Sequence, residues 1–157
     1  MECSDKLGFS SDPAALWGMS MGGSFANAAA SHPEHGSAWD SLTIICSFDS
    51  LDRVIKNKCK YSWLTNLSSR FCQMHGGPDF AEVRPMDWAK HITQPVLMVH
   101  GDQDKLIPMA RGEVLYDHYA SKKKKWVTVE GGNHRNLLIL PMPLYAEIAE
   151  WMINNFE

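Results

Sequence analysis

The sequence predicts an α/β fold of about four parallel strands with flanking helices. Three observations carry that prediction: four short apolar runs without strict alternation, amphipathic segments between them, and a glycine-bounded serine where the first run meets an Ala-rich stretch. Strands buried on both faces read as near-continuous apolar runs, and strands that alternate with helices build right-handed βαβ units.

The first run is Ala14-Ala15-Leu16-Trp17, which ends in glycines. Gly22 to Ala30 follows, small and Ala-rich, as suits a helix packed closely on a sheet. Leu42-Thr43-Ile44-Ile45-Cys46-Ser47-Phe48 is the second run, and Pro95-Val96-Leu97-Met98-Val99-His100 the third. A helix is expected over Met109 to Tyr119, with Val114, Leu115 and Tyr119 set against Arg111, Glu113 and Asp117. Trp126-Val127-Thr128-Val129 is the fourth run. The last segment, Leu144 to Phe156, spaces Leu144, Tyr145, Ile148, Ala149 and Met152 as one helical face, with Glu147, Glu150 and Asn154 on the wet side. Residues 49–91 are less regular and read as short helices and loops. A connection of that length is expected to be a lid or a wall of the substrate site.

The chain is read as a single domain over residues 1–157, 45% hydrophobic and 21% charged. That balance excludes a disordered chain. A net charge of −3 offers no broad basic surface for nucleic acid. No apolar run approaches the ~18 residues of a membrane span. The cysteines, Cys3, Cys46, Cys59 and Cys72, form no C-x-x-C pair, and the histidines form no H-E-x-x-H, so no metal site and no cofactor is expected. Met1-Glu2-Cys3-Ser4 shows no charged-then-apolar leader, so the expectation is a cytoplasmic chain with reduced thiols. Lys122 to Lys125 is expected to be a solvated turn.

Gly18-Met19-Ser20-Met21-Gly22 is a G-x-S-x-G motif in a strand–turn–helix context. The turn is tight enough to strain the backbone of Ser20, and side chains at Gly18 and Gly22 are expected to collide with neighbouring backbone. The helix N-terminus beneath supplies donors for developing negative charge, the Met21 N–H first among them. A serine hydroxyl needs a base, and the base needs an orienting acid. His100-Gly101-Asp102-Gln103-Asp104 follows the third run and Gly131-Gly132-Asn133-His134 the fourth. Both lie at the C-terminal ends of strands, where open α/β sheets gather their sites. Asp102 and Asp104 compete for the acid role.

From about residue 12 onward the chain resembles the C-terminal part of an α/β-hydrolase of the serine esterase or peptidase kind, in the lysophospholipase-like and dienelactone-hydrolase-like groups. Leu16 to Gly23 looks like the nucleophile elbow. His100-Gly101-x-x-Asp104-x-x-x-Pro108 resembles the acid loop, and Gly131 to His134 the histidine loop. The resemblance implies catalytic Ser20, Asp104 and His134, with Asp102 as the substitute acid and His100 ordering the acid loop. It implies a small acyl substrate (an ester, thioester or amide), with short-peptide cleavage as an alternative.

The family's sheet has more strands before the elbow and a loop there that gives the second oxyanion donor. This chain is therefore expected to be N-terminally truncated, with residues 1–11 the tail of a preceding helix and its loop. It is also expected to be weakly active for want of that donor, and to self-associate through an uncovered sheet edge.

Overall fold

The computed structural model describes residues 13–59, 61–139 and 142–156; Cys3 and the stretch read as a preceding helix and loop lie outside them. The strands are β1 (Ala15–Met19), β2 (Ser41–Ile45), β3 (Val96–Gly101) and β4 (Lys124–Val129). They form one sheet in the order β1-β2-β3-β4, and every pairing is parallel. Sequential order with parallel pairing forces each connection to cross over one face, and helices make those crossovers, with one further helix after β4. They are α1 (Met21–Ala30), α2 (Leu51–Lys58), α3 (Ser62–Met74), α4 (Pro85–Ala89), α5 (Met109–His118) and α6 (Met142–Ile153).

The two-residue period of the strands divides the core. Leu42, Ile44, Val96 and Met98 face one side, where Ala26 and Ala30 of α1, Ala89 of α4, and Leu115 of α5 with Tyr119 beyond it close over them. Small residues on α1 let that helix sit close to the sheet. The Tyr119 hydroxyl donates to Asn27 Oδ1 at 2.7 Å, so the polar tip carried inward is satisfied. Ile45, Leu97 and Val99 face the other side, under Leu137 and under Leu144 and Ile148 of α6. Each fully buried aliphatic side chain contributes roughly 1.5–3 kcal/mol.

The lysine run departs from expectation. Lys124 and Lys125 lie inside β4 rather than in a turn before it. Lys124 Nζ donates to the Tyr116 carbonyl at 2.9 Å and sits 4.7 Å from the centre of that ring. Lys125 Nζ pairs with Glu147 at 2.8 Å. Lysine belongs on the outermost strand of a sheet, where its long stem packs and its charge blunts the edge.

Residues 49–91 are mostly helical, in α2, α3 and α4. They are seated beyond the ends of the strands by Phe48, Leu51 and Ile107, with Val54, Ile55, Phe80 and Val83 packed around. The buried Asp49 carboxylate holds the same junction, accepting from Arg53 at 2.7 Å and from Arg111 at 3.4 Å. Among the described residues no helix is long and apolar enough to cross a membrane.

Candidate active site

The turn between β1 and α1 places Ser20 at φ 55°, ψ −121°, a left-handed backbone that a non-glycine residue adopts only under constraint. The constraint is visible. The Ser20 N–H donates to the Ile45 carbonyl at 2.8 Å, and its own carbonyl accepts from the Ser47 hydroxyl at 3.0 Å. β2 thus grips the turn from both sides.

The glycines divide differently from expectation. A Cβ on Gly18 would run into the backbone of Gly22 and Gly23, as anticipated, but a Cβ on Gly22 would meet nothing within 4 Å. Gly22 points into open space, so the expected collision there is corrected. The second glycine that packing demands is Gly23, whose Cβ would strike the side chains of Ser47 and Ile44.

His134 arrives on the loop after β4. Gly131 turns the chain at φ 68°, and Asn133 and Asn136 brace each other across the loop. Asn133 Oδ1 accepts from the N–H groups of Arg135 and Asn136, both at 3.0 Å, while Asn136 Oδ1 accepts from the Asn133 N–H at 2.7 Å. The imidazole they aim makes two contacts: Nε2 lies 3.0 Å from Ser20 Oγ, and Nδ1 lies 2.7 Å from Asp104 Oδ2. With a carboxylate at Nδ1, that nitrogen carries the proton, which leaves Nε2 to accept from the serine hydroxyl.

Asp104 is buried, and its second oxygen, Oδ1, accepts from the N–H groups of Leu106 and Ile107, both at 2.8 Å. Burial pushes its carboxyl up, but the bonds from His134 and Ile107 outweigh that and hold it below the ordinary value. Asp102, two residues earlier, is exposed and makes no hydrogen bond to the imidazole among the described residues, so the geometry brings Asp104 and not Asp102 to His134.

His100 is buried parallel to Trp126, with ring centres 5.9 Å apart, and its Nε2–H donates to the Ile107 carbonyl at 2.9 Å. It ties down the far end of the acid loop. Burial holds its imidazole below the ordinary value, so it stays neutral.

Met21 is the first helical residue of α1, and its N–H has no acceptor among the described residues. It lies beside Ser20, at the positive end of the helix. His32, His35, His75, His91 and His118 lie outside this cluster.

Two residues here were not singled out in the sequence. Ser47 locks the elbow, as described. Cys46 is buried, takes φ 45° at the end of β2, and lies with Asp104 and His134 so that their ligand atoms are within 4.8 Å of one another. Burial pushes its thiol up to about 12, so it remains protonated. These three are the only such group that could hold a metal ion among the described residues. Both Asp104 oxygens are already taken by donors, and the thiol holds its proton, so hydrogen bonding accounts for the cluster. The signal available was position alone, directly after the second apolar run.

A cavity of about 1000 Å³ lies elsewhere, lined by residues such as His32, Asp40, His91 and Lys122 that precede β2, β3 and β4. It opens at the N-terminal ends of the strands, away from Ser20.

A family profile described as serine aminopeptidase, S33, matches residues 83–138. No curated protein matches the chain significantly. Among solved structures, DcsB in complex with its substrate analogue is similar at a TM-score of 0.70 and 18% identity, over 98% of this chain and 69% of that one. The monoacylglycerol lipase of Paleococcus ferrophilus has a TM-score of 0.70 and 16% identity, over 98% and 72%. An acetyl xylan esterase from Paenibacillus sp. R4 has a TM-score of 0.69 and 18% identity, over 99% of this chain and 50% of that one. At these identities the likeness is one of fold. Four parallel strands in sequential order, with a strained serine on the first turn, give the chain an α/β-hydrolase fold in part, from the strand that leads into the Ser20 turn onward.

Proposed function

We propose that the chain is the catalytic part of a serine hydrolase that cleaves carboxylic esters through an acyl-enzyme. The observation that carries this reading is the unbroken path from Ser20 Oγ to His134 Nε2 at 3.0 Å and from His134 Nδ1 to Asp104 at 2.7 Å. Ser20 Oγ attacks the substrate carbonyl while Nε2 takes its proton. Asp104 holds the ring in the required tautomer and stabilises the imidazolium. The oxyanion forms beside the Met21 N–H, where the α1 dipole favours negative charge. His134 then returns the proton to the leaving alcohol. Water, deprotonated by the same nitrogen, releases the acid.

Residues 49–91 form the wall of the substrate site in this reading. Their α2 end reaches the acid loop, where Lys58 Nζ donates to the Lys105 carbonyl. A second reading, cleavage of short peptides, draws support from the aminopeptidase description of the family profile over residues 83–138. Turnover of an aryl ester and of an aminoacyl anilide by the same preparation separates the two. Ser20→Ala should abolish either activity while leaving the circular dichroism spectrum unchanged. Retention of activity in that variant overturns the proposal.

A further inference from the structure

Ile107 belongs to two parts of the molecule at once. Its side chain, 2% exposed, is buried with Phe48 and Leu51 in the apolar cluster that seats residues 49–91, and Val54 of α2 and Val83 pack around them. Its backbone belongs to the acid loop. The N–H donates to Asp104 Oδ1 at 2.8 Å, and the carbonyl accepts from His100 Nε2 at 2.9 Å. The sequence makes this residue stiff. A β-branched side chain has little χ1 freedom, and Pro108 confines the residue before it to extended backbone. Where the side chain lodges therefore decides where the N–H points.

The other donor to Asp104 Oδ1 is the Leu106 N–H, and it has no such anchor, because the Leu106 side chain is 48% exposed. Two polar ties run beside Ile107. The buried Asp49 carboxylate joins Arg53 of α2, at 2.7 Å, to Arg111 in the first turn of α5, at 3.4 Å, and Lys58 Nζ donates to the Lys105 carbonyl. The insert is closed on itself at the same place. The Met86 N–H donates to the Asp49 carbonyl at 3.1 Å, and the Leu51 N–H donates to the Val83 carbonyl at 3.0 Å. This end of the insert thus meets the acid loop as a unit, and Ile107 carries the contact to a bond on Asp104.

We propose that Ile107 is a positioning residue: the insert, by holding its side chain, fixes the Asp104 carboxylate against His134. The proposal rests on the serine-hydrolase reading above and extends it, since residues 49–91 then govern turnover as well as bounding the substrate. The two carboxylate oxygens have separate tasks. Oδ1 is held by the loop, and Oδ2 meets His134 Nδ1 at 2.7 Å. The Cβ–Cγ torsion of an aspartate is soft, so a carboxylate released at Oδ1 turns and carries Oδ2 off the ring.

A double-mutant cycle with Asp104→Asn tests this, read by the rate at which a fluorophosphonate labels Ser20. Ile107→Ala should slow labelling by about tenfold to a hundredfold, the cost of misplacing a catalytic group by about 1 Å. For an aryl ester the loss should fall on kcat, with KM changed by less than about twofold. In the Asp104→Asn background, where no carboxylate is left to aim, the same substitution should cost less than about twofold. A purely structural role would cost the same factor in both backgrounds. Leu51→Ala leaves Ile107 intact and weakens its support from the insert, so it should give the same pattern at a smaller factor. Circular dichroism controls for folding in every variant. Equal factors in the two backgrounds, a loss confined to KM, or wild-type labelling rates in both folded variants would each overturn the positioning while leaving the hydrolase reading intact. Failure of the wild-type chain to label at Ser20 would overturn that reading, and the positioning with it.

Discussion

Replacing Asp104 by Asn changes one atom of the site and tests its logic. The carboxylate serves two groups of partners. Oδ1 accepts from the Leu106 and Ile107 N–H groups, and Oδ2 faces His134 Nδ1 at 2.7 Å. An amide oxygen can keep both backbone bonds, so the acid loop stays in place and the variant folds. Its NH₂ must then face Nδ1. Two donors cannot share that contact, so the ring takes the other tautomer and Nε2 carries the proton. The nitrogen 3.0 Å from Ser20 Oγ can then no longer accept from it. A wrong-tautomer histidine costs about 10⁴ in turnover, equivalent to about 5.4 kcal/mol in the barrier. Asp102 is exposed, so Asp102→Asn should change turnover by less than about twofold. Aryl-ester hydrolysis by the three proteins, with circular dichroism as the control for folding, measures both effects. If Asp102→Asn is the more damaging change, or if folded Asp104→Asn keeps more than about a tenth of wild-type turnover, the tautomer argument is wrong.

Gly18→Ala should destabilise the elbow by about 1–3 kcal/mol, because the new methyl meets the backbone of Gly22 and Gly23. Gly22→Ala, facing open space, should be neutral or gain up to about 1 kcal/mol from helix propensity; urea unfolding of the pair checks the contrast. Stability should also fall with acid. Burial holds His100 below its ordinary 6.5, so below that pH the unfolded chain binds the proton that the folded chain refuses. Asp104 adds to the loss below 3.8, since its folded carboxyl titrates lower than its unfolded one. The urea midpoint should therefore drop between about pH 7 and about pH 5, and a flat profile would contradict the burial of neutral His100.

Much of this was legible because local chemistry and tertiary position agree. The second and third apolar runs read as doubly buried strands because β2 and β3 are central and covered on both faces. The G-x-S-x-G, H-G-x-x-D and G-G-N-H segments meet in space because each sits at the C-terminal end of a strand, where parallel sheets bring loops together. The start of β4 was missed because an edge strand tolerates lysines that a turn also tolerates. Gly22 was misjudged because the motif marks where the backbone is tight but not which glycine faces it. Cys46 and Ser47 escaped because their roles depend on φ and on a partner far along the chain. On α3 the apolar period is that of any amphipathic helix, and only the packing shows that Thr65 and Ser69 turn inward while Trp63, Leu67, Phe71 and Met74 are exposed.

The central claim is that Ser20 is the nucleophile. Treatment of the full chain with a fluorophosphonate probe, followed by mass mapping of the modified peptide, tests it most directly. The account predicts one adduct, on Ser20, absent in Ser20→Ala and strongly slowed in Asp104→Asn. An adduct on Ser24 or Ser47, or equal modification of wild type and Ser20→Ala, would contradict it.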